Sequence, residues 1–270
     1  MIDWSRLAEP QADYYDTAVT LKFATAETSP RRGERYVRRP VEGYPTIFDG
    51  DVAVRYLFPE PPPPVGPRFQ NAPFDRAKVE EAVGYVRYWP VAFNQFRTLM
   101  DTFNPIIDKT AGSTPELSSS HSEEELFGTM YGTCHDPVLL AECFVHEMAH
   151  NKLRALGVGI DAGTTLVLNP PDELYVSPII KHRKRPMTAV LHATYSFLYV
   201  AALDIHVLTQ VADATVQQRF AANLRRNLLR LREGCEEVRG HIRVDVHGRA
   251  FVDSLLDWGE RVARAGESLI

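Results

Sequence analysis

The stretch "AECFVHEMAHNKL" (141–153) sets two histidines four residues apart with a glutamate beside the first: His146, Glu147 and His150. Four residues of α-helix turn about 400° and rise roughly 6 Å, so both imidazoles leave the same side and two ring nitrogens can reach one metal ion. Glu147 is turned about 100° from His146 and lies beside that site rather than in it. The histidine stripe continues through Leu139, Cys143 and Leu153, which puts it on an inward-facing side. Two core histidines flanking a glutamate would spell the same string. A capped helix with a candidate strand just upstream favours a metal site.

The third ligand decides the chemistry. A metzincin requires glycine and histidine where this chain has Leu153 and Leu156, and that class is excluded. A thermolysin-like zinc peptidase requires a glutamate from a downstream helix. Glu173 sits in a proline-rich segment, and Glu233, Glu236 and Glu237 belong to a charged, solvated run. The better candidate is His192, in "RPMTAVLHATYSFLYVAALDIHV" (185–207), at the start of an apolar helix. His206 shares nearly the same face, but 14 residues span about 21 Å of helix, so only one of the two reaches the ion. Arg185 stands seven residues before His192. That is roughly 10 Å if the helix begins there, a reach that suits a guanidinium gripping the far end of a small metal-bound anion. Lys181, Arg183 and Lys184 read as a solvated basic loop, while Asp172, Glu173 and Asp204 stay open as carboxylate substitutes for the third histidine.

The elements that must position these groups are mostly helical. Asp75 opens a helix that runs through "VEEAVGYVRYWPVAFNQFRTLMDTF" and is kinked or divided at Pro90. A polar loop (111–125) and a short strand (126–134) follow. Asp136-Pro137 then caps the H-E-x-x-H helix, which Gly157 and Gly159 stop. Residues 158–184 read as irregular, with helices after them at about 187–209, 214–239 and 249–265. The fold class is mainly α with a small β element, a zincin-like H-E-x-x-H helix packed in a helical core. Residues 1–74, rich in proline and arginine and including the spacer "FPEPPPPVGP" (58–67), are expected as a strap or substrate-recognition segment, and 75–270 as the catalytic domain.

The bulk numbers narrow the class. A net charge of −5 leaves no footprint for nucleic acid. Three cysteines, an odd number without C-x-x-C spacing, argue against a disulfide framework and for a reducing cytoplasm. The N-terminus is acidic and broken by Pro10, unlike a secretory signal. The most apolar segment, Thr188–Leu208, is interrupted by His192, Asp204 and His206, so it reads as a buried helix rather than a membrane span.

Four segments, "SSSHSEEELFGTMYG", "VHEMAHNKL", "YVSP" and "RPMTAVLHATYSFLYVA", together resemble the H-E-x-x-H-type, 2-oxoglutarate-dependent peptide β-hydroxylases associated with ribosomally made, post-translationally modified peptides (RiPPs). The resemblance covers roughly residues 75–265 and is densest over 118–205. Ala189 and Ala193 stand where that pattern has glycine, and Ile179-Ile180 where it has Trp-Arg. It implies Fe(II) held by His146, His150 and His192, 2-oxoglutarate held by Arg185, and a peptide or amino-acid substrate oxidised with O2 at an unactivated carbon. Glu147 would orient a ligand or a water. The alternative is Zn(II) with Glu147 as the base of a minimal gluzincin-type peptidase.

Other residues admit two readings each. Ser118, Ser119, Ser120 and His121 line a substrate cleft or form a plain polar loop. Gly128–Tyr131 is an edge strand for a peptide backbone or a core strand. Tyr131 and Tyr195 reach the cofactor or simply pack. Phe220, Leu224, Leu228, Leu231 and Cys235 form core or a homodimer contact.

Overall fold

The computed structural model describes residues 1–27, 34–58, 68–109, 119–160, 166–179 and 183–270. Nearly all of the proline-rich spacer, most of the polar loop with Ser118, Ile180 and Lys181 lie outside the described residues.

Helix α1 (Tyr15–Thr25) is followed by strands β1 (Thr46–Ile47), β2 (Val52–Val54) and β3 (Phe69–Asn71). The helix expected from Asp75 is two helices, α2 (Arg76–Arg87) and α3 (Pro90–Leu99). Pro90 has no N–H and cannot continue α2, so Trp89 leaves helical geometry and α3 starts with the proline in its first turn. Expected as the end of that helix, Thr102 and Phe103 instead open strand β4 (Thr102–Asp108). Strands β5 (Ser120–His121) and β6 (Thr129–Gly132) complete a six-stranded mixed sheet of order β1-β2-β4-β6-β5, with β3 also on β4. Pro105, which has no N–H to give, sits where β4 passes from β2 to β3 as its neighbour.

Helix α4 (Pro137–Ala155) carries the H-E-x-x-H motif. Asp136 caps it by accepting from the amides of Val138 and Leu139, at 3.0 and 3.2 Å. At its other end Gly157 takes φ +87°, the left-handed conformation that glycine adopts without penalty. Gly157 N–H bonds Arg154 O at 2.9 Å and Val158 N–H bonds Leu153 O at 3.0 Å, which closes the last turn. The segment read as irregular contains a two-stranded hairpin, β7 (Leu174–Tyr175) with β8 (Arg185–Pro186). Three long helices finish the chain: α5 (Met187–Leu208), α6 (Ala214–His241) and α7 (Val246–Glu267). Gly234 lets α6 approach α5, since a Cβ there would collide with Thr194.

Among the described residues α5 is the helix long and apolar enough to cross a membrane, and 89% of its apolar window is buried inside the protein. It is the core helix, packed between α4, α6 and α7. The architecture is mainly α with a small mixed sheet, as the sequence pattern implies.

A boundary at residue 74 does not separate two cores. Strand β2 pairs with β4 in parallel, and Leu7, Ile47 and Val54 belong to the same apolar cluster as Phe144 and Leu198. The Asp16 carboxylate meets Lys152 Nζ at 2.5 Å with both side chains fully buried, so α1 is bolted to the H-E-x-x-H helix. The first segment, in its described part, braces the helices.

Candidate metal centre

The two histidines of α4 project together, as their spacing requires. His146 Nε2 and His150 Nε2 are 3.0 Å apart. Two ligands meeting one ion at right angles, each about 2.0–2.1 Å from it, have roughly that separation. From α5, His192 Nδ1 approaches His150 Nδ1 to 2.9 Å, while its Nε2 lies 2.7 Å from the carbonyl of Val158. A carbonyl only accepts, so His192 donates Nε2–H there and turns a bare Nδ1 toward the site. His150 then supplies the proton between itself and His192, and His146 the proton between itself and His150. An ion between His146 and His150 would take the place of the second of these protons.

Burial holds all three rings in the neutral form that a metal requires. It keeps His146 below its usual pKa and, with the two neighbouring imidazoles adding to the effect, His150 well below. It pushes His192 down to about 3. His146 and His150 bring two Nε2 atoms together as a metal pair would, while His192, oriented by a backbone carbonyl, meets His150 at its other ring nitrogen, so bringing it onto the same ion requires a ring to turn.

Glu147 is buried, and its two oxygens accept from different serines, Ser120 Oγ at 2.7 Å and Ser122 Oγ. One carboxylate oxygen lies within 4.8 Å of the nitrogens of His146 and His150. Arg154, two turns further on and also buried, donates to Ser122 Oγ at 2.8 Å and to its carbonyl at 3.0 Å.

His146, His150, His192 and Arg185 line one cavity of about 210 Å³, together with Ile160, Ser177, Ile179, Ala189, Ala193, Ser196 and Phe197. The hairpin β7–β8 delivers Arg185 two residues before α5 begins. Four expected residues thus share one cavity, and Glu147 lies beside it.

Other expected residues lie elsewhere. Tyr195 projects into the α1 side of the core, with its hydroxyl donating to Ala8 O at 2.9 Å and lying 3.4 Å from Tyr199. Tyr131 bonds Glu123 at 3.0 Å and stacks on His121. Neither tyrosine is part of the cavity wall. His206 stacks on Trp89. The carboxylates held open as ligands are engaged away from the histidines: Glu173 with Arg243 and Tyr175, and Asp204 with Asn227, while Asp172 is exposed. Strand β6 is not an edge, because β4 and β5 flank it. Its tip residue Gly128 takes φ +80° and is tied to α4 by Asn151. On that flank the edge is β5, and β1 lies at the other end of the order.

Sequence reasoning missed Ser122, Arg154 and the Val158 carbonyl. Ser120 and Ser122 alternate as strand residues do, but the segment reads as a loop by composition. No protein-family model matches this chain and no curated protein matches it.

Proposed function

We propose that the chain is a cytoplasmic Fe(II)- and 2-oxoglutarate-dependent hydroxylase that oxidises an unactivated carbon, the β-carbon, of a residue in a peptide. The observation that carries this reading is the shared cavity, lined by His146, His150, His192 and Arg185, with Glu147 engaged by serines. His146, His150 and His192 would hold iron and Arg185 the distal carboxylate of 2-oxoglutarate. Bound there, the iron supplies O2 activation coupled to decarboxylation of 2-oxoglutarate to succinate.

The chain's own residues do the remaining work. Three neutral ligands leave the full charge of the ion to be balanced by a chelating dianion, so affinity for the co-substrate is built into the ligand type. At about 210 Å³ the cavity is smaller than the roughly 300–1,000 Å³ common for drug-sized ligands, which suits a small co-substrate and leaves the peptide at the mouth. Ile160, Ile179, Ala189, Ala193 and Phe197 make its wall apolar and limit water.

A zinc peptidase would need Glu147 facing a metal-bound water. With Ser120 and Ser122 each donating to it, that role is disfavoured.

The test is to add Fe(II) and 2-oxoglutarate to metal-free protein without oxygen and record the visible spectrum. A metal-to-ligand charge-transfer band that vanishes in His192→Ala and weakens in Arg185→Ala is the expected result. No band, with zinc tightly held instead, would overturn the hydroxylase reading and favour the peptidase.

A further inference from the structure

A serine hydroxyl has one proton to give and lone pairs to receive. Arg154 donates into Ser122 Oγ from Nη1 and into the Ser122 carbonyl from Nη2, at 2.8 and 3.0 Å. The Ser122 proton is thereby left for Glu147 Oε2, and Ser120 supplies a second for Oε1 at 2.7 Å. The serines are two residues apart on extended chain, so both face α4. Their strand is held in place by the pairing Ser120↔Gly132 and His121↔Tyr131. Asn151 ties the same sheet to α4, accepting from Gly128 N–H at 3.0 Å and donating to the Glu147 carbonyl at 2.9 Å. Backbone and side chain of Glu147 are thus fixed from one direction.

The restraint matters because of what lies on the other side. A Glu147 oxygen is within 4.8 Å of the His146 and His150 nitrogens, near enough for the three side chains to share one ion. An anionic oxygen that close to a dication coordinates it unless something else holds it. We infer that Ser120, Ser122 and Arg154 form a latch that keeps Glu147 off the metal, so that the protein ligands remain neutral imidazoles and the positions needed by a chelating anion stay open. The inference rests on reading the histidines as a metal centre, and it is independent of which co-substrate binds. All three are positioning residues that act through Glu147.

Cobalt(II) alone is the probe, read by its visible d–d bands and by competition with a chelator. In the wild-type chain Glu147→Gln leaves the bands in place, because the carboxylate is not a ligand. Ser120→Ala/Ser122→Ala releases it, so the bands shift and cobalt affinity rises on the order of tenfold, the scale on which outer partners act. Adding Glu147→Gln to that double variant returns the wild-type spectrum, and Ser122→Thr, which keeps a hydroxyl, never departs from it. If the double variant folds poorly, Ser120→Ala alone shows a smaller shift that Glu147→Gln again abolishes.

Unchanged bands in the serine variants overturn the latch, as does a wild-type spectrum altered by Glu147→Gln. No cobalt bands in any variant overturn the metal centre and the latch together. Cobalt bands without a 2-oxoglutarate response in the iron protein overturn only the hydroxylase reading.

Discussion

His192 Nε2 lies 2.7 Å from the carbonyl of Val158, a residue placed by the turn that ends the H-E-x-x-H helix. One glycine, Gly157 at φ +87°, thus sets the position of the acceptor that orients a histidine 35 residues away. Histidines from two helices are thereby held against each other.

Gly157→Ala should therefore damage the metal site without touching it. A side chain at that φ destabilises the turn by about 1 kcal/mol or more, and displacing the Val158 carbonyl should lower metal affinity on the order of 10- to 100-fold. Urea unfolding with a cobalt titration checks both; a stable variant with wild-type affinity would show that the carbonyl does not orient His192.

Arg185→Ala should weaken 2-oxoglutarate binding rather than metal binding. Losing a charge-assisted hydrogen bond worth about 1.5–3 kcal/mol corresponds to roughly 10- to 100-fold in dissociation constant. Titrating 2-oxoglutarate into the anaerobic iron protein measures it. Equal losses of iron and co-substrate would place Arg185 in the fold instead of the site.

Lys152 and Asp16 are both fully buried, and Lys152 also bonds Tyr199. The surrounding negative groups outweigh burial and hold the Lys152 ammonium above its usual pKa. Asp16→Ala leaves that cation without its partner and should cost about 3–5 kcal/mol. Asp16→Leu/Lys152→Met should recover much of the loss, since it removes the desolvated charges together. Additive losses in urea unfolding would contradict this coupling.

Glu142 of α4 and Asp204 of α5 are buried against each other, with Asn223 and Asn227 as further partners. Burial pushes Glu142 up to about 7 and Asp204 well above its usual range, the latter with help from Glu142. A carboxyl raised on folding contributes stability that is complete below its unfolded pKa and lost as pH rises through the folded value. Their contribution should fall between about pH 4.5 and pH 7 and beyond, opposite in sign to that of the buried histidines, so it is read as the stability difference between wild type and Asp204→Asn. Asp204→Asn should flatten the dependence. A difference between wild type and Asp204→Asn that is the same at pH 5 and pH 8 would refute the shared burial.

Local pattern carried much of this molecule. Asp136-Pro137 and Gly157 mark the ends of α4, and the periodicities of α5, α6 and α7 give helices within a few residues of those observed, with boundaries such as Val246 and His241 shifted. Capping and helical periodicity are short-range, so they survive in a bare sequence. Strand β4 did not: Asn104-Pro105 reads as a turn, and only pairing with β2, β3 and β6 makes it a central strand. The edge position of β5 was hidden for the same reason, because which strand lies outermost is a property of the whole sheet.

By itself the sequence determined that His146 and His150 share a helix face, because α-helical geometry fixes the direction of residues four apart. It also singled out His192 and Arg185 by residue type and position. Tertiary structure decided the rest. Packing of α4 against α5 brought His192 to His150, while the hairpin before α5 turned Arg185 into the same cavity. Docking of β5 on α4 gave Glu147 to the serines. Tyr195, three residues from His192, was sent instead into the core, where Ala8 receives its hydroxyl. Those contacts join residues tens to nearly two hundred positions apart, and hydrogen bonds of that range are set by how the core closes, not by any pattern along the chain.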